Sequence, residues 1–98
     1  MAEPDQTVEA EASKYIEQIG RRIAELRHAA GWSQRQFATV LNSTVQWVSM
    51  VETGRQNLRI HTLVRIAHKL GVPPADLWVP PAGTATTSAR GRKRAERA

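Results

Sequence analysis

Between Ser13 and Trp78 the bulky apolar residues return every three or four positions. Ile16, Ile19, Ile23, Leu26 and Ala30 form the first series. That spacing lines one face of an α-helix. Ser13 suits its N-cap and Gly31 its C-terminal stop. Next comes Trp32-Ser33-Gln34-Arg35-Gln36-Phe37. Ser33 and Gln36 stand at capping-box spacing, and Trp32 and Phe37 at hydrophobic-staple spacing. A second helix is therefore expected over 34–41, stopped by Asn42, which tolerates the left-handed conformation. Thr44 caps a third helix, from Val45 to about Thr53, ending before Gly54. Val48 and Val51 form its apolar stripe; Gln46, Met50 and Thr53 fall on the opposite face, with Ser49 at the edge. Leu63, Ile66, Ala67 and Leu70 mark a fourth helix that stops at Gly71, and Pro73-Pro74 start a last short turn bearing Leu77 and Trp78. No strand alternation interrupts this pattern, so the expected class is all-α.

The ends lack such a pattern. Residues 1–13 hold Glu3, Asp5, Glu9 and Glu11 with no base, and from Pro80 the chain turns to Pro, Gly, Ala, Thr and Ser, then to Arg90, Arg92, Lys93, Arg94 and Arg97. Neither end has apolar surface to offset an ordering cost of roughly 1–2 kcal/mol per residue. The reading is an acidic flexible arm over 1–13, a folded domain over 14–79, and a disordered basic tail over 80–98.

With 98 residues in all, this leaves a single small domain. A domain of that size buries only about 60% of its chain surface, so modest stability is expected unless it dimerises. The chain has 14 Lys+Arg against 9 Asp+Glu, a net charge of +5, and no cysteine. Disulfide frameworks, Cys/His zinc fingers and a cysteine nucleophile are excluded. No apolar run approaches membrane-spanning length, and the start lacks the basic and apolar regions of a signal peptide. A cytoplasmic, basic protein is expected, with nucleic acid the first candidate partner. His28, His61 and His68 lack ligand spacing: His61 and His68 are two helical turns apart, and no metal or cofactor is expected. No nucleophile–base set or Gly-rich phosphate loop is evident, so catalytic residues are not expected either.

Helices over 34–41 and 45–53 joined by a short turn make a helix-turn-helix. The stretch 19–78 resembles the phage repressor and Cro-type, or xenobiotic-response-element, family. The residues that carry the resemblance are Leu26-Arg27, Gly31-Trp32-Ser33-Gln34, Phe37-Ala38, Leu41, Thr44, Val48-Ser49, Val51-Glu52-Thr53-Gly54, Leu63, Ile66-Ala67, Leu70-Gly71-Val72 and Leu77. Two departures stand out. Asn42 replaces the usual Gly, and Leu58-Arg59 replaces a frequent Pro-Ser, which removes the expected cap of the fourth helix or keeps Arg59 for phosphate.

The resemblance implies a compact five-helix, lambda-repressor-like domain whose third helix enters the major groove. Val45, Gln46, Ser49 and Met50 then become the base-reading residues. Gln46 suits adenine, and Val45 or Met50 a thymine methyl. Ser33, Gln34, Thr44, Trp47, Arg55, Gln56, Asn57 and Arg59 become backbone contacts. Trp47 has two readings, the core rim or the DNA backbone. Arg27 and Glu52 are expected to pair across the first and third helices. Leu77, Trp78 and Val79 are the candidate dimer surface, unless Trp78 closes the monomer's own core. The basic tail adds phosphate contacts or serves only solubility.

The function implied is sequence-specific binding of double-stranded DNA by a transcriptional regulator. A repressor acting as a homodimer on a palindromic operator, at the nucleoid, fits best. The alternatives are a DNA-binding antitoxin with a toxin partner, a restriction–modification controller, or a protein-interaction module on the same fold. An enzyme is the poorest fit.

Overall fold

A computed structural model describes residues 6–81. Four α-helices follow one another: α1 (Gln6–Ala29), α2 (Gln34–Val40), α3 (Val45–Glu52) and α4 (Ile60–Leu70). A 3-10 turn spans Pro74–Trp78. No strand occurs among the described residues.

The helix boundaries follow local chemistry. Ser33 Oγ accepts from the Gln36 amide at 3.0 Å, and the Ser33 amide donates to Gln36 Oε1 at 2.8 Å, completing the capping box. Trp32 and Phe37 stack with ring centroids 5.6 Å apart, fixing the chain's entry into α2. Asn42 adopts φ 56° in the turn between α2 and α3. Thr44 Oγ1 accepts from the Trp47 amide at 3.0 Å at the head of α3. At the head of α4, Arg59 stands in the N-cap position with no side-chain cap bond.

One expected boundary is wrong. α1 begins at Gln6, seven residues before Ser13, so the acidic stretch is largely helical and not a flexible arm. Thr7 to Ala12 reads Thr-Val-Glu-Ala-Glu-Ala, rich in helix formers, with Glu9 in the first turn, where the helix dipole favours an acid. Extending a helix already nucleated costs far less than starting one. At the other end, Pro81 is buried, so the domain extends past the expected end at 79. The basic tail lies outside the described residues.

The core gathers residues from every element: Ile19, Ile23, Phe37, Ala38, Leu41, Val48, Val51, Leu63, Ile66, Ala67 and Leu77. α1 crosses α3 at Gly20. A β-carbon there would collide with the Val51 carbonyl oxygen and lie 3.2 Å from the Glu52 carbonyl carbon, so the crossing depends on glycine. Arg22 fastens the 3-10 turn to α1, its Nε donating to the Asp76 carbonyl at 2.9 Å and its Nη1 to Glu25 at 2.8 Å. Arg65 Nη2 donates to the Leu41 carbonyl and joins α4 to the end of α2.

Candidate nucleic-acid interface

The outer face of α3 is set by what its inner face buries. Val48 and Val51 are buried, and Gln46 and Thr53 opposite them are exposed. Val45 and Met50 are 38% and 36% exposed, large apolar side chains at the surface of an eight-residue helix. Ser49 is half-buried, at the edge of this face. Trp47 is half-buried against the core, which is the core-rim placement.

A buried polar network fixes α3 to its neighbours. Arg27 Nε donates to Glu52 Oε2 at 2.7 Å and Arg27 Nη2 to Glu52 Oε1 at 3.0 Å, a bidentate pair. Both side chains are under a tenth exposed. Arg27 Nη1 donates to the Trp32 carbonyl at 2.8 Å. Glu52 Oε1 also accepts from Gln34 Nε2 at 3.0 Å. One guanidinium and one carboxylate thus tie α1, the α1–α2 turn, α2 and α3 together. A buried charge pair is tolerable only when hydrogen bonds satisfy its remaining donors and acceptors, and Trp32 and Gln34 supply such bonds here.

The third member of this network, Gln34, is not evident from the sequence. Its side chain, half-buried, reaches inward to Glu52 and is spent there, which leaves the backbone amide as its group for phosphate. A Gln at the start of α2 carries no spacing signal for a partner 18 residues away. The hydroxyls of Ser33 and Thr44 likewise accept helix-capping amides. A hydroxyl that accepts can still donate its own proton.

After α3 the chain turns at Gly54, φ 76°, with the Arg55 amide donating to the Met50 carbonyl at 2.8 Å. A β-carbon on Gly54 would meet Glu17 Cγ at 2.6 Å, so both its conformation and its space demand glycine. The next residues alternate. Arg55, Asn57 and Arg59 are exposed, while Gln56 and Leu58 are half-buried. The loop therefore presents two guanidiniums outward and is pinned by Leu58 against the core.

Of the expected dimer residues, Leu77 does not qualify. It is fully buried and belongs to the monomer's core, because the 3-10 turn points it inward between α1 and α4. Trp78 and Val79 are 47% and 43% exposed. His28, His61 and His68 are all exposed. Among the described residues no three His, Asp or Glu side chains gather as metal ligands, and no helix is long and apolar enough to cross a membrane.

Known proteins share this fold. Residues 18–78 match the family described as Helix-turn-helix domain. An uncharacterized HTH-type transcriptional regulator of Sinorhizobium fredii, y4dJ, is 32% identical over 62 residues, covering 63% of this chain and 80% of its own. The restriction–modification controller protein C.AhdI of Aeromonas hydrophila superposes with a TM-score of 0.62 at 29% identity, over 66% of this chain and 94% of C.AhdI. The clp gene regulator ClgR of C. glutamicum superposes at 0.64 with 25% identity, over 66% and 83%. With its capped α2–α3 pair and the outward face of α3, the chain belongs to the helix-turn-helix family of DNA-binding transcriptional regulators.

Proposed function

We propose that this protein is a repressor that binds a palindromic operator as a homodimer, reading bases through α3. The observation that carries the proposal is the face Val45, Gln46, Met50, held outward on a helix whose C-terminal Glu52 is locked by Arg27. Gln46 supplies the donor and acceptor for adenine, and the two apolar side chains suit thymine methyls. Ser49 contacts the same bases from the edge. Arg55, Asn57 and Arg59 follow the phosphates on one side of the groove. The amide and hydroxyl groups around Ser33, Gln34 and Thr44 follow them on the other. Trp47 and Gln56 contribute by holding α3 and the loop in place, and Trp78 and Val79 lie at the dimer contact.

A second reading, control of a restriction–modification system, is favoured by one observation. The likeness to C.AhdI extends over 94% of that protein, which leaves little of it unmatched.

Selection of bound duplexes from a random DNA library tests the proposal. A two-fold symmetric motif, with half-sites about one helical turn apart, is expected. Gln46→Ala should relax preference at one base pair by roughly 1–3 kcal/mol. Arg55→Ala should weaken all sequences alike and reduce the salt slope by about one. Enrichment of no motif, with only salt-sensitive bulk binding, would refute base reading by α3.

A further inference from the structure

The stripe by which α1 enters the core does not stop at the core's edge. From Ile19 it continues toward the N-terminus as Tyr15, Ala12 and Val8, at steps of four and three along one helix face. No core lies beneath these residues. Every residue from Gln6 to Tyr15 is exposed, Val8 by 56% and Tyr15 by 46%. Nearby, α4 starts with Ile60, 67% exposed, followed one turn later by Val64, 45% exposed. Trp78 stands against Tyr15 with ring centroids 6.3 Å apart. Ala12, Tyr15, Ile16, Leu58, Ile60 and Trp78 line an open apolar groove of ≈ 310 Å³.

Two properties of this surface say what covers it. The first is charge. The overhanging part of α1 carries Glu9 and Glu11 and no base before Lys14. α4 carries Arg65 and Lys69 and no acid. Each molecule therefore offers one acidic apolar helix and one basic apolar helix, which complement each other across a two-fold axis. The second is area. A stable interface needs about 800 Å² per partner, whereas one aromatic residue buries at most about 250 Å². Trp78 and Val79 alone fall short of a dimer contact. The α1 overhang and the start of α4 are continuous with Trp78 and supply the missing apolar surface.

From these properties we infer that the occupant is a second copy of this chain, with the Val8–Tyr15 stripe of each protomer packed on the Ile60–Val64 face of the other. The inference rests on the homodimer reading and assigns its contact to α1 and α4 as well as to Trp78. The overhang, which within the protomer packs only where Tyr15 meets Trp78, gains further apolar contact in the dimer.

Sedimentation equilibrium of the full chain, at low and high salt, tests this with Val8→Glu and Val64→Glu. Each should weaken dimerisation by roughly tenfold or more, since a carboxylate would be buried in an apolar contact. Circular dichroism of each variant at monomeric concentrations should match the parent's, because both positions are exposed in the protomer. Rising salt should also weaken the parent dimer. The chain has no cysteine, so Val8→Cys protein mixed with Val64→Cys protein gives an independent readout with a short bis-maleimide. Cross-linked species joining the two variants should exceed either self-linked species. A parent chain that stays monomeric throughout overturns both the homodimer reading and this assignment. A parent dimer that both glutamate variants leave unchanged overturns the assignment alone.

Discussion

The two sides of this domain are held by different forces. Where α1, α2 and α3 converge, the contacts are directional: two capped helix starts, a bidentate ion pair and an amide aimed at the same carboxylate. Where α1 overhangs α4, the contacts are apolar, and much of the surface is left open. Hydrogen bonds with fixed geometry define an angle, while apolar burial rewards area with little regard to direction. A helix that must present Gln46 to a base edge needs the first kind of support. A surface that only has to be covered can rely on the second.

The largest effect should follow from breaking the directional side. Glu52→Ala leaves the Arg27 guanidinium buried without its carboxylate, and about 3–5 kcal/mol of stability should be lost. Urea denaturation should show the midpoint falling with an unchanged slope. Pairing Glu52→Leu with Arg27→Met should recover most of that loss, because apolar replacements of a buried ion pair are often neutral or better. Operator affinity should stay below the parent's even then, since the restored core no longer fixes the angle of α3. Full affinity in the stable double variant would show that the network serves stability only.

Next in size is Gly20→Ala. Its methyl would push into the backbone of Val51 and Glu52, which has no flexible end to move aside. A cost of roughly 1–3 kcal/mol is expected, typical of overpacking. Thermal unfolding followed at 222 nm measures it. Because the displaced backbone belongs to α3, operator affinity should fall as well. A variant that melts like the parent would mean that the helices part without penalty.

These two positions differ in how well the sequence reveals them. Glu52 sits in a motif whose resemblance to relatives already pairs it with Arg27. Gly20 is an unremarkable residue inside a helical pattern, and only the close crossing of α1 over α3 explains it. The same divide runs through the rest of the molecule. Local signals were legible: the Ser33–Gln36 box, the Trp32–Phe37 staple, Asn42 in a turn, and the buried stripe Val48 and Val51. Contacts between distant positions were not, including Gln34 to Glu52 and Arg22 to the Asp76 carbonyl. The start of α1 is hidden because acidic, Ala-rich sequence without large apolar residues suits both a helix and a flexible arm. The inward placement of Leu77 is hidden because a turn of five residues has too little periodicity to tell inside from outside.

A smaller effect tests the local part of the directional side. Ser33→Ala removes the acceptor for the Gln36 amide and leaves the Trp32–Phe37 stack in place. The loss should lie near 0.5–2 kcal/mol, read as a shift of the urea midpoint. Ser33→Asp should retain most of the stability, since aspartate caps equally well. If alanine and aspartate behave alike, the cap contributes nothing and the staple alone sets the start of α2.

The smallest effect should come from the apolar side. Ile60→Gln changes a large side chain, but one that is 67% exposed and has little in the protomer to lose. At concentrations where the chain is monomeric, its unfolding free energy should move by no more than about 0.5 kcal/mol. Contrast Val48→Ala, a smaller chemical change at a position only 1% exposed, where loss of buried methyls and the cavity left behind should cost more. Measured side by side in urea, the pair isolates the difference between the two regions: size of substitution predicts the wrong order, and burial the right one. An Ile60→Gln loss equal to that of Val48→Ala would mean that the start of α4 is packed within the protomer, and the surface between α1 and α4 would no longer be free to meet a second copy.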